Sequence, residues 1–327
     1  MMVTAVTVRR HGGPEVLEIE TITLDPPKAG EALVRHTAIG VNFIDTYFRS
    51  GLYPPPGGAL PLTPGNEAAG IVEAVGPDVT EVAPGDRVVY LSPPGAYVQK
   101  RVLPAALLLP IPAGISDEVA AAVLLKGLTA QYLLRRTVRV TASHVLLFHA
   151  AAGGVGLIAG QWARHLGATI IGTVGSDQKA ALARQNGYDH VINYRTEDFV
   201  ARTLELTKGA KVDVVYDSVG RDTFPASLDV IKPLGLFVSF GQASGPVPSF
   251  DLGLLNAKGS LFVTRPSVFA YNPTREAKLA SSKELFDLIA AGVIRVAIHQ
   301  RFALTDAAAA HRALEGRATT GTSLLIP

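Results

Sequence analysis

The chain has 327 residues, enough for more than one hydrophobic core, since chains beyond about 250–300 residues usually divide into domains. It has no cysteine, which excludes disulfides and thiolate metal sites. Its net charge is +2, without the basic stripe typical of nucleic-acid binding. No apolar run approaches a membrane span of about 18 residues, and the N-terminus lacks the order of a signal peptide. We therefore expect a cytoplasmic protein of two domains without a nucleic-acid or membrane partner.

Residues 1–110 alternate short apolar runs with turns rich in proline and glycine. Strand-like runs occupy residues 32–36, 69–75 and 86–89, and the APGD stretch at 83–86 is a strong turn signal. Helical periodicity is weak throughout this region. The pattern predicts a partly open β-barrel.

At Ser116 the pattern becomes helical. Ser116 is a candidate N-cap, and Asp117 and Glu118 lie in the first turn, where the helix dipole favours acidic side chains. An apolar helix is predicted to continue to about Arg136. Strands are then predicted at 145–149, 169–174, 191–193, 212–217, 236–240 and 261–264, and helices at 154–166, 178–186, 197–207 and 225–231. Such alternation predicts a parallel sheet covered by helices on both faces.

The C-terminal region resembles the first one in its pattern. After a predicted helix at 274–291, a strand is expected at 298–302, a helix at 306–315 and a strand at 323–326. We expect this tail to rejoin the N-terminal domain. The predicted α/β organisation is a β-barrel domain of residues 1–124 and 296–327, with a doubly wound parallel-sheet domain of residues 125–295.

The loop at residues 151–156 (AAGGVG) follows an apolar strand and opens a helix. Within a strand–helix–strand unit, this arrangement is typical of a dinucleotide site. Gly153 lets the backbone approach a pyrophosphate, together with Gly154 and Val155, while Gly156 allows close packing of helix on strand. The alternative is a turn of small residues without a ligand.

The end of the next strand indicates which dinucleotide is bound. NAD-binding domains place an acidic residue there to hold the ribose 2′-hydroxyl, whereas this chain has Gly175 and Ser176. Lys179 could meet a 2′-phosphate, for which Gly175 leaves room, and Asp177 is expected to cap the following helix. These residues favour NADPH. The alternative for Lys179 is a solvated surface residue, and Tyr194 either walls the adenine–phosphate site or is an ordinary residue at a strand end.

With these residues in place, the chain resembles zinc-free medium-chain dehydrogenases/reductases, and more closely the NADPH:quinone oxidoreductases related to zeta-crystallin. The resemblance is specific and spans nearly the full length. It is carried by HGGPEV (11–16), GVNFIDTY (40–47), RSGLYPPP (49–56), KGLT (126–129), VVYDSVG (214–220), VTRP (263–266) and GTSLLIP (321–327).

The resemblance implies a GroES-like catalytic domain, a Rossmann cofactor domain and a homodimer formed through the cofactor domains. Zinc-dependent relatives carry a cysteine at the position of Asn42 and a histidine at that of Asn66. No metal is therefore expected, and an electron-poor acceptor such as a quinone or enone would replace an alcohol as the substrate.

The resemblance also implies the residues of the site. Asn42 and Tyr47 would lie beside the nicotinamide and substrate, and Tyr47 either donates a proton to the developing oxyanion or only orients the cofactor. Tyr53 either lines the pocket mouth or packs its loop. Lys126 is assigned to the cofactor–substrate cleft, because a lysine in an apolar helix needs water, a phosphate or a charged partner.

Further cofactor contacts are expected from the ends of the later strands and from two other positions. Ligands of parallel sheets bind at the carboxyl ends of the strands. The predicted contacts are Thr129, Ser218, Phe240, Gly241, Gln242, Val263, Arg265 and, from the returning tail, Arg317. Arg265 is also predicted as a catalytic residue near the nicotinamide and the substrate opening, and the alternative for either arginine is a surface residue.

Two alternatives to NADPH-dependent quinone reduction stay open. One is reduction of α,β-unsaturated carbonyls, which uses the same hydride donor. The other is a nucleic-acid-binding role of the zeta-crystallin type, against which the scattered positive charge argues.

Overall fold

The computed structural model describes residues 1–327 and is a mixed α/β structure. Its strands are β1 Met2–Val8, β2 Leu17–Thr23, β3 Glu31–Val41, β4 Glu67–Val75, β5 Arg87–Leu91, β6 Lys100–Pro104, β7 Leu108–Pro110, β8 Val145–Phe148, β9 Thr169–Val174, β10 His190–Asn193, β11 Val212–Asp217, β12 Ile231–Ser239, β13 Phe262–Thr264, β14 Ile298–Ala303 and β15 Thr322–Ile326. Its helices are α1 Phe43–Ser50, α2 Asp117–Tyr132, α3 Gly154–His165, α4 Asp177–Gln185, α5 Phe199–Leu206, α6 Gly253–Ala257, α7 Val268–Tyr271, α8 Arg275–Ala290 and α9 Ala307–Glu315. None of these helices is both long and apolar enough to cross a membrane.

The chain divides into two compact units. The first comprises residues 1–126, 274–290 and 296–327, and the second comprises residues 127–273 and 291–295. The grouping places α8 with the first unit, whereas the sequence-based division placed it in the second. The domain boundaries drawn from the sequence stay a prediction.

The first unit is built on a seven-stranded sheet in the order β14-β15-β3-β4-β5-β7, with β6 also paired to β3. All pairs except β14–β15 are antiparallel, and β1 and β2 form a separate antiparallel pair. β15 joins β3, with Ser323 opposite Val41, so the C-terminal strand completes the sheet of the N-terminal region. A core that includes Val34, Ile39 and Tyr90 fills its interior. This architecture confirms the β-barrel part of the predicted fold class.

The second unit is a six-stranded parallel sheet in the order β10-β9-β8-β11-β12-β13. Its strands are apolar and largely buried, as strands of parallel sheets are. The order reverses between β8 and β11, which is the topological switch point of a doubly wound fold. The sheet confirms the second part of the predicted fold class.

Two predicted helices differ from those in the structure. The predicted helix at 225–231 is a short 3-10 turn over Ala226–Val230, after which β12 begins directly. The apolar helix after Ser116 ends at Tyr132 and continues as a π-helical turn over Leu133–Thr137. There the Tyr216 hydroxyl donates a hydrogen bond to the Leu133 carbonyl, 2.9 Å away. Tertiary contacts of this kind leave no local sequence signal.

Candidate functional site

The glycine loop of the second unit runs from β8 into α3. Gly153 is the N-cap of α3 and has extended backbone angles. A Cβ at Gly156 would lie 2.6 Å from the carbonyl oxygens of both Ala150 and Ala151, so only glycine allows this close packing. The first N–H groups of α3 have no helical acceptors and face the region past the strand ends, as in sites that bind pyrophosphate. The loop therefore fits the dinucleotide predicted from its sequence.

The end of β9 departs from the prediction in one detail. Ser176, not Asp177, caps α4, since its hydroxyl accepts the Lys179 backbone N–H at 3.3 Å. Asp177 accepts a hydrogen bond from the Asn193 amide at 2.9 Å instead. Oδ1 of its carboxylate is thereby held toward β10.

Gly175 and Tyr194 are neighbours at the same edge of the sheet. A Cβ at Gly175 would lie 2.5 Å from the Tyr194 hydroxyl, so the space left by this glycine is bounded by the tyrosine. Tyr194 is 42% exposed directly after β10. Gly175 and the partly exposed Tyr194 therefore form one side of the surface next to the first turn of α4, and this turn carries Lys179.

The later strand ends form a connected group of predicted cofactor residues. The Phe240 backbone N–H donates to the Asp217 carbonyl at 2.8 Å, and the Phe240 ring packs on Phe148 at 5.5 Å between centroids. Gly241 lies against Ser218, where an added Cβ would approach the Ser218 carbonyl to 2.8 Å. Ser218, Phe240 and Gly241 therefore share one edge of the sheet, as predicted from the topology.

Arg265 and its neighbours border a pocket in this unit. The Arg265 Nη1 donates to the Ser239 carbonyl at 2.9 Å. A half-open pocket of about 510 Å³ lies beside it, with Gln242, Val263 and Arg265 among its lining residues and Phe237 also contributing. The same three residues were predicted from the sequence as cofactor contacts, and the structure brings them to one pocket.

His149 is a buried histidine whose two ring nitrogens both have hydrogen-bond partners. Its ring nitrogens each lie 2.9 Å from a hydroxyl, Nδ1 from Thr173 and Nε2 from Ser227. Burial lowers the pKa of His149, so the ring is held neutral. It follows β8 directly and supports the end of that strand.

In the first unit, α1 carries Asn42 at its N-cap and Tyr47 one turn further on. Both side chains are nearly buried, and the Asn42 backbone N–H donates to Asp45 at 2.8 Å. The Tyr53 ring meets the Tyr47 ring edge-on, 5.2 Å away, and the Tyr53 backbone N–H donates to the Tyr47 carbonyl. The structure therefore joins Tyr47 and Tyr53 as an aromatic pair.

Lys126 has the charged partner that its position in an apolar helix requires. Its Nζ lies 3.2 Å from Oε1 of Glu67, and the side chains of Lys126 and Glu67 are 8% and 0% exposed. The same oxygen accepts the Asn42 amide N–H at 2.9 Å. The structure thus connects Lys126 and Asn42 through a carboxylate that was not among the predicted site residues.

A second buried polar network was also not predicted. It contacts α1 on a different side from Glu67. The Tyr97 hydroxyl donates to Asp45 at 3.0 Å and lies 3.0 Å from His311 Nε2, while Arg49 Nη1 lies 3.1 Å from His311 Nδ1. Because arginine only donates, Nδ1 of His311 is the acceptor and Nε2 carries the proton. Arg49 also makes two hydrogen bonds to Glu315, at 2.9 and 2.6 Å.

Burial sets the charge of this network. Desolvation raises the pKa of Asp45 from 3.8 to about 7 and lowers that of His311 from 6.5 to about 3, to which the Arg49 charge also contributes. The signal that could have revealed the network is the spacing of Asn42, Asp45 and Arg49, which places three polar residues on one helix face.

The two remaining predicted contacts lie in different units. Thr129 is buried in α2 within the second unit. Arg317 is exposed in the first unit, just after α9, and has a left-handed backbone with φ 55°. Such a conformation is uncommon for a residue other than glycine.

Two family models match the chain. "Alcohol dehydrogenase GroES-like domain" matches residues 28–113, and "Zinc-binding dehydrogenase" matches residues 154–277. A quinone oxidoreductase of Pseudomonas aeruginosa is 55% identical over 97% of each chain. The crystal structure of Escherichia coli quinone oxidoreductase complexed with NADPH has a TM-score of 0.97 at 55% identity, covering 99% of this chain and 100% of that one. A 2-haloacrylate reductase of a Burkholderia species is 46% identical over 100% of this chain and 99% of its own.

These likenesses define the class of protein as a medium-chain dehydrogenase/reductase. The chain belongs to the quinone oxidoreductase family within that class.

The zinc ion that one of these family descriptions implies does not fit the residues present. Asn42 and Lys126 both donate hydrogen bonds to Glu67, and the Asn66 amide donates to the Ser92 carbonyl at 2.9 Å. A zinc ion needs electron-pair donors, and an ammonium group offers none. No group of three or more His, Asp or Glu side chains is arranged to hold a metal ion.

Proposed function

We propose that this protein catalyses the reduction of quinones by NADPH, through hydride transfer and without zinc. The observation that carries the proposal is the likeness over the whole chain, at 55% identity, to a quinone oxidoreductase whose structure holds NADPH. The glycine loop before α3 independently supports a dinucleotide, and Gly175 and Ser176 follow β9 where NAD-binding domains place an acidic residue, which favours a phosphorylated one.

Within the second unit, we propose that the chain binds the cofactor through the strand ends. The backbone of Gly153, Gly154 and Val155 would meet the pyrophosphate, and Lys179 with Ser176 the 2′-phosphate. The further contacts proposed there are Thr129, Gly175, Tyr194, Ser218, Phe240, Gly241, Gln242, Val263 and Arg265. When bound, NADPH supplies the hydride.

Within the first unit, the proposed contacts are Asn42, Tyr47, Tyr53, Lys126 and Arg317. In the overall reaction the quinone gains the hydride and one proton and becomes the hydroquinone, while NADPH becomes NADP⁺. Negative charge develops on the acceptor oxygen as the hydride arrives, and a hydrogen-bond donor stabilises that charge. Tyr47 or water would give the proton, and Lys126 and Arg265 would contribute positive charge.

A homodimer formed through the second unit is part of the proposal. β13 is the edge strand of the parallel sheet, and its residues Phe262 and Val263 are 61% and 38% exposed. An exposed apolar edge strand favours pairing with another strand. The cytoplasmic location expected from the sequence stays a prediction.

A reductase of activated alkenes is the second candidate. The 46% identity with a 2-haloacrylate reductase favours it, since that enzyme's name describes an alkene conjugated to a carboxylate. Both candidates use hydride addition to an electron-poor acceptor, so the proposed site suits either.

The discriminating experiment measures NADPH oxidation with a series of quinones and a matched series of enals, enones and 2-haloacrylate, with NADH as the cofactor control. We expect kcat/KM for the best quinone to exceed that of every alkene, and NADPH to be preferred over NADH. Turnover confined to the conjugated alkenes would replace the proposed substrate class with the second candidate.

A further inference from the structure

The Glu67 carboxylate is a buried centre of three hydrogen bonds. Its Oε1 accepts from the Asn42 amide at 2.9 Å and from Lys126 Nζ at 3.2 Å, and its Oε2 accepts the Leu125 backbone N–H at 2.6 Å. The residue is 0% exposed. A buried carboxylate is stable only when paired and hydrogen-bonded, and this one has both kinds of partner.

The surrounding backbone leaves room for this carboxylate. Gly40 lies opposite on β3, and a Cβ there would come within 2.3 Å of Glu67 Oε1 and 2.5 Å of the Ala121 carbonyl oxygen. Any larger residue at position 40 would displace the carboxylate. The close approach of β3, β4 and α2 therefore fixes where the charge of Glu67 lies.

The carboxylate determines the orientation of two proposed site residues. Because an ionised carboxylate only accepts, the Asn42 amide must turn its NH₂ toward Glu67 and its oxygen elsewhere. The Lys126 ammonium has three donors and uses one on Glu67, so two stay available to a ligand. The charge of Lys126 is thus held in place without all of its hydrogen bonds being used.

We propose that Glu67 is a positioning residue that fixes the Lys126 ammonium and the Asn42 amide, and that this lysine supplies the positive charge which a metal ion would otherwise provide to the acceptor oxygen. The inference rests on the proposed function. A divalent cation at Glu67 would have to displace the ammonium, so lysine and zinc are mutually exclusive there. Glu67 acts through Lys126 and Asn42 and does not itself touch the acceptor.

The test compares Glu67→Gln, Lys126→Met and the double variant. Glutamine keeps the size of Glu67 but places an NH₂ against a donor, so at least one of the three hydrogen bonds is lost.

We expect each single variant to lower kcat for quinone about tenfold or more. We expect the NADPH dissociation constant, measured by fluorescence without acceptor, to change less than about threefold, because cofactor affinity comes mainly from phosphate contacts in the second unit. The double variant should be no slower than the worse single one, because Glu67→Gln acts through an ammonium group that Lys126→Met has already removed.

The matched control is Glu73→Gln, on the same strand, β4. Glu73 accepts from Lys100 at 2.6 Å, but this pair is partly exposed. Its loss should leave kcat unchanged. Thermal unfolding of every variant identifies any that fail to fold, and Lys126→Met then carries the test alone.

The contradicting results are distinct from a failure of the proposed function. Wild-type protein without quinone turnover would refute the function itself. Wild-type turnover with unchanged kcat in Lys126→Met and in Glu67→Gln, or independent effects that multiply in the double variant, would refute the role of Glu67. Stoichiometric zinc that survives dialysis in the wild type and is lost from Glu67→Gln would also overturn it.

Discussion

At the scale of single residues, cofactor selection depends on the end of β9. The carboxylate of Asp177 accepts a hydrogen bond from Asn193 there. Ser176 is the N-cap of α4, and its hydroxyl accepts the Lys179 backbone N–H. Lys179 lies in that turn. A nearby cation strengthens the binding of a cofactor with a 2′-phosphate, whereas it contributes little to the binding of one with a 2′-hydroxyl.

Replacing Lys179 with alanine should therefore weaken NADPH binding much more than NADH binding. We expect the NADPH dissociation constant to rise about tenfold or more, the value of a hydrogen bond to a charged group, and that of NADH to change about twofold at most. Fluorescence titration with both cofactors measures the effect. The control is Lys283→Ala, whose surface ion pair with Asp287 lies in the first unit. Equal losses for the two cofactors in Lys179→Ala would show that this lysine does not contact the 2′-phosphate.

At the scale of elements, α1 is held from two sides by buried polar groups. Glu67 binds its N-cap residue, and the network from Asp45 to Glu315 binds its far face. Arg49 is 2% exposed, so its guanidinium needs the two hydrogen bonds to Glu315. This helix carries Tyr47, which lies on a different face from Asp45 and Arg49.

Glu315→Gln should destabilise the protein because it leaves the Arg49 charge buried without a counterion. We expect a loss of about 2–3 kcal/mol, less than for a fully buried pair because Glu315 is partly exposed. Chemical denaturation measures it. The control is Asp287→Asn, which breaks the exposed Lys283 pair and should cost less than about 0.5 kcal/mol. Similar losses in both variants would contradict a buried clamp on α1.

Buried titratable groups predict how stability changes with pH. Burial lowers the pKa of His311 to about 3 and that of His36 to about 4. Each folded histidine stays neutral below pH 6.5 while the unfolded chain takes up protons, so acidification to about pH 4 favours unfolding. Asp45 acts in the opposite direction between its unfolded pKa of 3.8 and about 7, because its folded form keeps the proton. The two histidines outweigh the one carboxyl.

We therefore expect the unfolding temperature to fall as the pH is lowered from 6.5 to about 4. His36→Asn removes one of the two histidines that favour unfolding at low pH. It should therefore reduce the change of the free energy of unfolding with pH by up to about 1.4 kcal/mol per pH unit. Calorimetry at several pH values tests this. An unfolding temperature that rises over the same interval would contradict neutral buried histidines.

At the scale of the whole molecule, the type of each sheet follows from alternation, turn signals and composition, whereas the order of its strands comes from the structure alone. Apolar runs predicted the parallel sheet, and its strands at 169–174 and 212–217 agree with the structure to the residue. Local sequence could not show that Glu67 joins Asn42 to Lys126, because the three residues come from separate elements of the chain. It also could not show which of Ser176 and Asp177 caps α4, since both are good capping residues and a contact from β10 decides between them.

Assembly belongs to the same scale. If the edge strand β13 forms the proposed dimer, Phe262→Lys should shift the protein toward monomer, because it places a charge on the exposed apolar surface of that strand. Analytical ultracentrifugation measures the shift. Ile19→Lys is the control, since Ile19 is also an exposed apolar residue on a strand but lies in the first unit. A wild-type monomer, or an unchanged dimer in Phe262→Lys, would rule out this interface.

The most direct test of hydride transfer is a single-turnover measurement with NADPH deuterated at one or the other face of nicotinamide C4, with a quinone as acceptor and EDTA present. The predicted result is a clear slowing for one stereoisomer only, with deuterium lost from that isomer. Equal rates for both isomers and unlabelled NADPH, or turnover only after zinc is added, would contradict metal-free hydride transfer from NADPH to the quinone.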